Sequence, residues 1–92
     1  MKYTIRYSGQ FKRSYKLCKR RGYDMSKLEA VLRILAETGT LPPVYKPHIL
    51  SGKGWAGFWE CHIEPNWLLV WDQNDKELVL LLLETGTHSD IF

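Results

Sequence analysis

Residues 48–67 read HILSGKGWAGFWECHIEPNW and contain two of the chain's three histidines and three of its four tryptophans. If residues 58–64 form a strand, its side chains alternate between two faces. One face would carry Phe58, Glu60, His62 and Glu64, and the other Trp59, Cys61 and Ile63. The second set is typical of a hydrophobic core, whereas the first holds groups that exchange protons. A lone strand histidine is usually structural, but His48 and His88 accompany this one.

Two further strands are predicted after the first. We expect strands over about residues 56–64, 67–72 and 77–84, joined by Pro65-Asn66 and by the polar residues 73–76. Both connections suit β-hairpins. Residues 78–83, LVLLLL, are apolar on both faces, which predicts that the last strand lies inside the sheet with helices against one side.

The N-terminal part predicts a short strand and two helices. Residues 2–7 alternate between aromatic or aliphatic and polar side chains, as a strand does. Ser8 is a suitable N-cap for a helix to about Arg21, with Gly22 as its stop, and Asp24 caps a second helix that Gly39 ends. Prolines and glycines in residues 40–54 exclude regular structure there. The prediction is a single α+β domain, residues 1–92, of order β-α-α-β-β-β, with two helices on a small, mostly antiparallel sheet.

Composition indicates an ordinary globular domain. The 92 residues are 45% hydrophobic and 25% charged. The longest apolar run is too short to cross a bilayer, and the N-terminus lacks the apolar segment of a signal peptide. We therefore expect a cytoplasmic protein with no membrane partner. Cys18 and Cys61 form no Cys-x-x-Cys pair, so we expect buried, reduced thiols rather than nucleophiles or zinc ligands.

Charge is distributed unevenly along the chain. Residues 1–23 contain eight Lys or Arg and no acidic residue, whereas residues 24–92 contain five basic and all ten acidic residues. On the first helix, Lys12, Lys16 and Lys19 fall largely off the apolar stripe. Such a surface can bind a polyanion through counterion release. The alternative is a solvated helix face.

Three motifs follow one another along the chain: YKPHILSG at residues 45–52, ECHIEPNW at 60–67 and TGTHSDIF at 85–92. Together they resemble the YafQ family of bacterial toxins, within the RelE/ParE superfamily, and the similarity covers essentially the whole chain. The resemblance implies a RelE/ParE-like fold and a ribosome-dependent mRNA endoribonuclease that uses no metal or other cofactor. It also implies that a cognate antitoxin protein holds the toxin inactive, so the expected partners are this antitoxin, the ribosome and mRNA.

The family pattern is matched by the three histidines, by Trp67 and by the terminal Phe92. Related sequences usually have aspartate where this chain has Asn66, and arginine at the positions of Glu84 and Trp59. The resemblance therefore predicts an enzyme of reduced activity.

Metal-free RNA cleavage needs a base for the 2′-hydroxyl, charge balance at the phosphate and an acid for the leaving 5′-oxygen. Imidazole can serve each purpose near neutral pH, and a neighbouring carboxylate can stabilise its protonated form.

The predicted catalytic residues are His48, His62, His88, Glu60 and Asn66. The predicted substrate-binding residues are Trp67 and Phe92 as stacking platforms and Lys12, Lys16, Lys19 and Lys53. The spacing of His62-Ile63-Glu64 does not suit a metal site.

Alternatives to these assignments remain at this point. Trp67 fits the core as well as a stacking role, and Phe92 could simply anchor the C-terminus. The competing function is a binding toxin without catalysis, either a gyrase inhibitor of the ParE kind or an inactive ribosome binder.

Overall fold

A five-stranded sheet with three α-helices forms the structure, a computed structural model that describes residues 2–92. The strands and helices follow in the order β1 (Thr4–Tyr7), α1 (Gly9–Arg20), α2 (Met25–Thr38), a 3₁₀ turn (Pro43–Tyr45), β2 (His48–Ile49), β3 (Trp59–Glu64), β4 (Trp67–Asn74), β5 (Val79–Gly86) and α3 (His88–Ile91). The α+β class is confirmed. No helix within residues 2–92 is long and apolar enough to cross a membrane.

The helix ends lie where the sequence places its caps. Ser8 Oγ accepts a hydrogen bond from the Phe11 amide at 3.0 Å, and Asp24 caps α2 through the Ser26 amide at 3.1 Å. Gly39 ends α2 with a φ of 72°, in the left-handed region that favours glycine. A Cβ at this position would lie 2.5 Å from Cε1 of Tyr3, so both the turn and the packing require glycine.

The sheet has the strand order β1-β5-β4-β3-β2. β1 pairs with β5 in parallel, and every other pairing is antiparallel. β5 has a neighbour on each side, as the apolar run predicts, and β4 is the middle strand. Consistent with that position, residues 67–71 of β4 are all buried.

The core lies between the helices and one face of the sheet. It includes Phe11, Leu28, Val31 and Leu35 from the helices and Cys61, Ile63, Trp67, Leu69, Trp71, Leu80 and Leu82 from the strands. The predicted core face of β3 is therefore confirmed. The histidine face of the sheet points the other way.

Residues 40–54 are more regular than predicted. Pro43 begins the 3₁₀ turn, where proline's missing amide costs nothing. His48 and Ile49 pair with Glu60 and Trp59 as a two-residue strand. The expectation of an irregular loop was wrong because Pro47 removes only its own donor and leaves the next two amides able to join the sheet.

The remaining differences concern the strand ends. β3 begins at Trp59 rather than near residue 56, because residues 52–57 form turns and Gly57 has a φ of 89°. β4 and β5 each extend two residues beyond the predicted end. Residues 88–91 form the short helix α3, which we did not predict. Its capping box, Thr87 and Asp90, is recognisable in the sequence.

Candidate active site

The three histidines come together on the sheet face opposite the helices. β2 supplies His48, β3 supplies His62 and the first residue of α3 is His88. The ring centroids of His48 and His62 lie 6.5 Å apart, and those of His62 and His88 lie 6.0 Å apart. His62 is thus the middle member of a row of three imidazoles that come from separate parts of the chain.

A buried carboxylate lies beneath two of these rings. Glu60 is 4% exposed, and its Oε1 lies 3.3 Å from Nε2 of His48 and 3.8 Å from Nε2 of His62. The ladder sets this geometry, since His48 and Glu60 are directly paired residues of β2 and β3. A buried charge is tolerated when an opposite charge and hydrogen bonds balance it, and the two ring nitrogens are the groups beside this carboxylate that can donate to it.

The backbone fixes how the two rings are oriented. Nδ1 of His48 lies 2.9 Å from the Lys46 carbonyl oxygen, and Nδ1 of His62 lies 3.3 Å from that of Pro65. Because a carbonyl oxygen can only accept, each Nδ1 carries a hydrogen and donates it. Both histidines therefore direct Nε2 towards Glu60, and either can donate to the carboxylate when its ring is protonated.

His88 is held from another direction. Its Nδ1 lies 3.3 Å from Oδ1 of Asn66, in the turn between β3 and β4. With the amide oriented in this way, Nδ1 donates to Asn66 and the neutral ring keeps its lone pair on Nε2. Asn66 is thus in contact with the cluster through His88.

An ion pair attaches α3 to α1. Arg21 donates to both carboxylate oxygens of Asp90, at 2.6 and 3.1 Å, and Asp90 also accepts from the Thr87 amide at 2.9 Å. The Arg21 hydrogen bonds, followed by that from Thr87, hold the pKa of the Asp90 carboxyl well below its usual range. No pattern in the sequence predicts that residue 21 lies against residue 90. This pair holds the turn that carries His88.

Aromatic rings border the histidine row on one side. Phe92 is 55% exposed, and its centroid lies 6.4 Å from that of His88 and 5.5 Å from that of Trp55. Trp55 also meets Phe58 at 6.2 Å. The sequence analysis did not include Trp55 among the site residues. A signal was present, because a large aromatic residue among glycines in a loop has no strand or helix to bury it. Lys53 is exposed in the same turn.

Trp67 does not belong to this surface. It is 2% exposed, its indole N–H donates to Oγ1 of Thr85 at 2.9 Å, and its ring lies 4.9 Å from that of Tyr23. The prediction that Trp67 stacks on a base was wrong, because the alternation of β4 turns the indole towards the helices. The core alternative is the one that the structure shows.

Two other sets of predicted residues lie outside the histidine cluster. Lys12, Lys16 and Lys19 line a groove to which no histidine contributes. Glu84 accepts a hydrogen bond from Oγ of Ser14 on α1 at 2.5 Å. In the sheet Val70 is the paired neighbour of both Glu60 and Glu84, and the pairing of β4 with β5 is irregular directly after Val70.

Both thiols are buried and neither forms a disulfide. Burial raises the pKa of the Cys61 thiol to about 12, so this sulfur is a poor nucleophile near neutral pH. Within the described residues, no group of three or more His, Cys, Asp or Glu side chains is arranged to hold a metal ion. The ionisable groups arranged for chemistry are the three imidazoles and Glu60.

Comparison with known proteins places this fold and site in one class, the bacterial toxins of type II toxin–antitoxin systems. Residues 3–92 match the model of a family described as bacterial toxin of type II toxin-antitoxin system, YafQ. The chain belongs to the YafQ family of toxins.

Individual relatives agree with this assignment. The mRNA interferase toxin YafQ of Escherichia coli is 42% identical over 89 residues, which cover 96% of this chain and 94% of the relative. The crystal structure of the E. coli DinJ-YafQ complex contains a chain with a TM-score of 0.87 and 38% identity, covering 98% of both chains. A metal-bound toxin from Helicobacter pylori has a TM-score of 0.88 and 38% identity, covering 98% of this chain and 99% of that one.

Proposed function

We propose that the protein is the toxin of a type II toxin–antitoxin pair and that it cleaves mRNA on the ribosome as a metal-independent endoribonuclease. The observation that carries the proposal is the row of three imidazoles beside the buried Glu60. Membership in the YafQ family and the name of the E. coli relative, mRNA interferase toxin, support it.

The proposed reaction is an attack by the 2′-hydroxyl on the adjacent phosphorus. The O2′–P bond forms as the P–O5′ bond breaks, which leaves a 2′,3′-cyclic phosphate and a 5′-hydroxyl. One group must take the proton of the 2′-hydroxyl, and another must protonate the departing O5′. A cation must also balance the charge that develops on the phosphate oxygens.

The hydrogen bonds of the site suggest how these tasks are divided. His88, whose Nδ1 donates to Asn66, keeps the Nε2 lone pair and is assigned as the base. His48 and His62 place Nε2 beside the Glu60 carboxylate, which can accept a hydrogen bond from either ring, and they are assigned as the acid and the cation at the phosphate. Glu60 itself is too buried to reach RNA, and its assigned role is to hold the two rings in place.

The surroundings of the site agree with single-stranded RNA as substrate. Phe92 and Trp55 offer rings for base stacking, and Lys53 lies in the same turn. Stacking on exposed aromatic rings is the usual way in which proteins hold unpaired bases. Translating ribosomes lie in the cytoplasm, so this is the proposed place of action.

A cognate antitoxin is the proposed inhibitor. The family is that of type II toxin–antitoxin systems, and the E. coli relative is known in complex with DinJ. A basic toxin of this kind suits an acidic partner that folds on binding.

Mapping of mRNA ends tests the proposal. Purified protein is added to a reconstituted translation reaction and, in parallel, to the same mRNA without ribosomes. We expect new 5′-hydroxyl ends only in the translating reaction, and undiminished cleavage in the presence of EDTA. The EDTA arm is needed because the H. pylori relative was solved with metal bound.

The alternative binding toxin predicts a different result. Translation would stop without new mRNA ends, and replacement of a histidine would leave that inhibition unchanged. Cleavage that requires added metal would contradict the metal-independent mechanism, but mRNA would still be the substrate.

A further inference from the structure

A cavity of about 360 Å³ adjoins the middle of the histidine row, and the proposed reaction gives it no role. It lies between the 3₁₀ turn and the end of β3. Its walls include Val44, Tyr45 and Lys46 on one side and His62, Glu64 and Pro65 on the other. Because His62 belongs to both the row and the cavity, a group bound in the cavity lies directly beside the imidazoles.

The cavity exists because β3 extends beyond its edge partner. β2 pairs only with Trp59 and Glu60, so within residues 2–92 no strand covers that edge of β3 further along, and the 3₁₀ turn lies beside it. The ladder between β3 and β4 is also irregular between His62 and Glu64, and such irregularities often redirect a side chain next to an active site. Strict alternation predicts that Glu64 lies on the face of His62. Instead, Glu64 accepts a hydrogen bond from Lys27 of α2, on the helix side of the sheet.

Apolar walls and one accessible carboxylate characterise the cavity. Val44 is 76% exposed although it is aliphatic, and Tyr45 is half-buried. The Glu64 side chain is 45% exposed. Its Oε1 accepts from Lys27, and within residues 2–92 no group donates a hydrogen bond to its Oε2. Such a cavity suits a planar ring that carries N–H donors, as an unpaired nucleobase does.

We propose that this cavity binds guanine as the base that follows the cleaved bond, with Glu64 as the specificity-determining residue. The inference rests on the proposed function, since it assumes that the protein cleaves mRNA. An ionised carboxylate can only accept hydrogen bonds, and guanine presents two adjacent donors, N1–H and N2–H, that match its two oxygens. The ammonium group of Lys46, on the opposite wall, can donate to O6 of the same base.

The other three bases suit the carboxylate less well. Adenine and cytosine each have an amino group next to a ring nitrogen that is itself an acceptor, which a carboxylate repels. Uracil has a single N–H between two carbonyl oxygens. Guanine is therefore the base that uses both oxygens of Glu64, and a bidentate pair of this kind discriminates strongly between bases.

The position of the cavity along the row decides which nucleotide it takes. His62 lines the cavity, whereas His88 does not. His88 is assigned as the base for the 2′-hydroxyl, which belongs to the nucleotide before the cut. The acid that protonates O5′ of the following nucleotide is one of the pair His48 and His62, so the cavity lies on the side of the following nucleotide.

The test measures cleavage of matched mRNAs in the reconstituted translation reaction. The mapped 5′-hydroxyl ends should begin with guanosine. Three mRNAs then carry guanosine, inosine or adenosine at that position and are otherwise identical. Inosine lacks the 2-amino group, so the parent should cleave the inosine and adenosine mRNAs about tenfold more slowly than the guanosine mRNA. Glu64→Gln should bring the guanosine and inosine rates to within about twofold of each other, because a carboxamide offers one acceptor where guanine needs two.

Lys27→Met is the matched control for the carboxylate. It breaks the same ion pair but keeps Glu64, so the preference for guanosine should remain. Melting temperatures of the two variants show that both fold. Comparison of parent and variants on the same mRNAs removes the codon dependence of the ribosome itself.

The apolar wall is tested separately from the carboxylate. Tyr45→Leu removes an aromatic surface, whereas Tyr45→Phe keeps it. Tyr45→Leu should therefore cleave all three mRNAs about fivefold more slowly than Tyr45→Phe does, since base stacking is lost. Equal rates in the two variants would contradict the placement of a base against this wall.

Three further outcomes would overturn the inference. Ends that do not begin with guanosine, or equal guanosine and inosine rates in the parent, would show that the cavity does not recognise this base. An equal loss on all three mRNAs in Glu64→Gln would give Glu64 a general role, such as contact with the ribosome. Absence of mRNA cleavage by the parent would overturn the proposed function as well, whereas cleavage without a base preference contradicts the inference alone.

Discussion

The two faces of β3 follow the same alternation but are held by different forces. Cys61 and Ile63 pack against helices and belong to one hydrophobic cluster. Glu60 and His62 are the sequence neighbours of Cys61. Glu60 is paired with His48 of β2, and the ring of His62 lies beside that of His88 in α3. Cys61 and Glu60 are both buried, at 0% and 4% exposure, yet only Glu60 requires specific partners. Burial alone therefore does not distinguish core from site, whereas the hydrogen bonds of the buried group do.

The two faces should respond to mutation in different ways. Core side chains contribute stability through packing, and their loss leaves a cavity. Side chains of the histidine face contribute mainly to charge and proton positions, so their loss should change the reaction more than the fold.

The sharpest contrast is between adjacent residues. His62→Ala should reduce mRNA cleavage by about 10² to 10⁴-fold, the range that a general acid or base contributes, with little change in melting temperature. Ile63→Ala should destabilise the fold by about 2–5 kcal/mol, with normal cleavage by the fraction that stays folded. Thermal unfolding and single-turnover cleavage, measured on both proteins, separate these effects. If His62→Ala cleaves as well as the parent, the nuclease assignment is wrong and the binding-toxin alternative takes its place.

The buried carboxylate provides the next contrast. Glu60→Gln keeps the shape but removes the charge that two histidines share, so cleavage should fall by about 10 to 100-fold. Gln is also neutral and can hydrogen-bond, which should leave the fold stable to within about 1 kcal/mol. His48→Ala should reduce cleavage by at least about tenfold and add little to Glu60→Gln, because the two act as a unit. If the loss of cleavage in the double variant equals the product of the two single losses, His48 and Glu60 act independently.

Much of the core face was predictable from the sequence because it depends on local rules. Ser8, Asp24 and Gly39 specify helix ends within a few residues, and the alternation of residues 59–63 specifies which side chains are buried. The site is less predictable, because its members meet through long-range pairings such as His48 with Glu60 and Arg21 with Asp90. Trp67 shows the same limit, since a motif residue matched by resemblance is a core residue in the structure.

The ion pair between Arg21 and Asp90 joins the two regions and should have an intermediate effect. It holds α3 without touching RNA, so Arg21→Met should lower kcat by about tenfold through misplacement of His88 and leave KM nearly unchanged. Lys27→Met is the matched control, since it breaks the exposed pair with Glu64 and has no contact with α3. The charge exchange Arg21→Asp with Asp90→Arg should recover part of the activity. Equal losses in the control and in Arg21→Met would argue against a positioning role.

The same pair predicts a dependence of stability on pH. The pKa of Asp90 is lowered on folding. Its contribution to the free energy of unfolding is therefore complete above the ordinary aspartate pKa of about 3.9. It decreases as the pH falls below that value towards the lower pKa of the folded state. The difference in melting temperature between the parent and Asp90→Asn should therefore be constant from pH 7 to 5 and become smaller towards pH 3. A difference that grows on acidification would contradict the assignment.

The smallest expected effect is a gain rather than a loss. Asn66 contacts His88 through an uncharged oxygen, at the position where the family resemblance implies an aspartate. Asn66→Asp should stabilise the protonated ring after it takes the 2′-hydroxyl proton, and it should raise cleavage by about two- to tenfold. Asn66→Ala removes the acceptor and should lower cleavage, so the rates should decrease in the order Asp, Asn, Ala at residue 66.

Glu84→Gln is the matched control: it removes one negative charge but can still accept from Ser14, so it separates a general charge effect from the contact with His88. If Asn66→Asp and Asn66→Ala have equal rates, residue 66 does not act on His88, and the orientation of that ring must come from α3 alone.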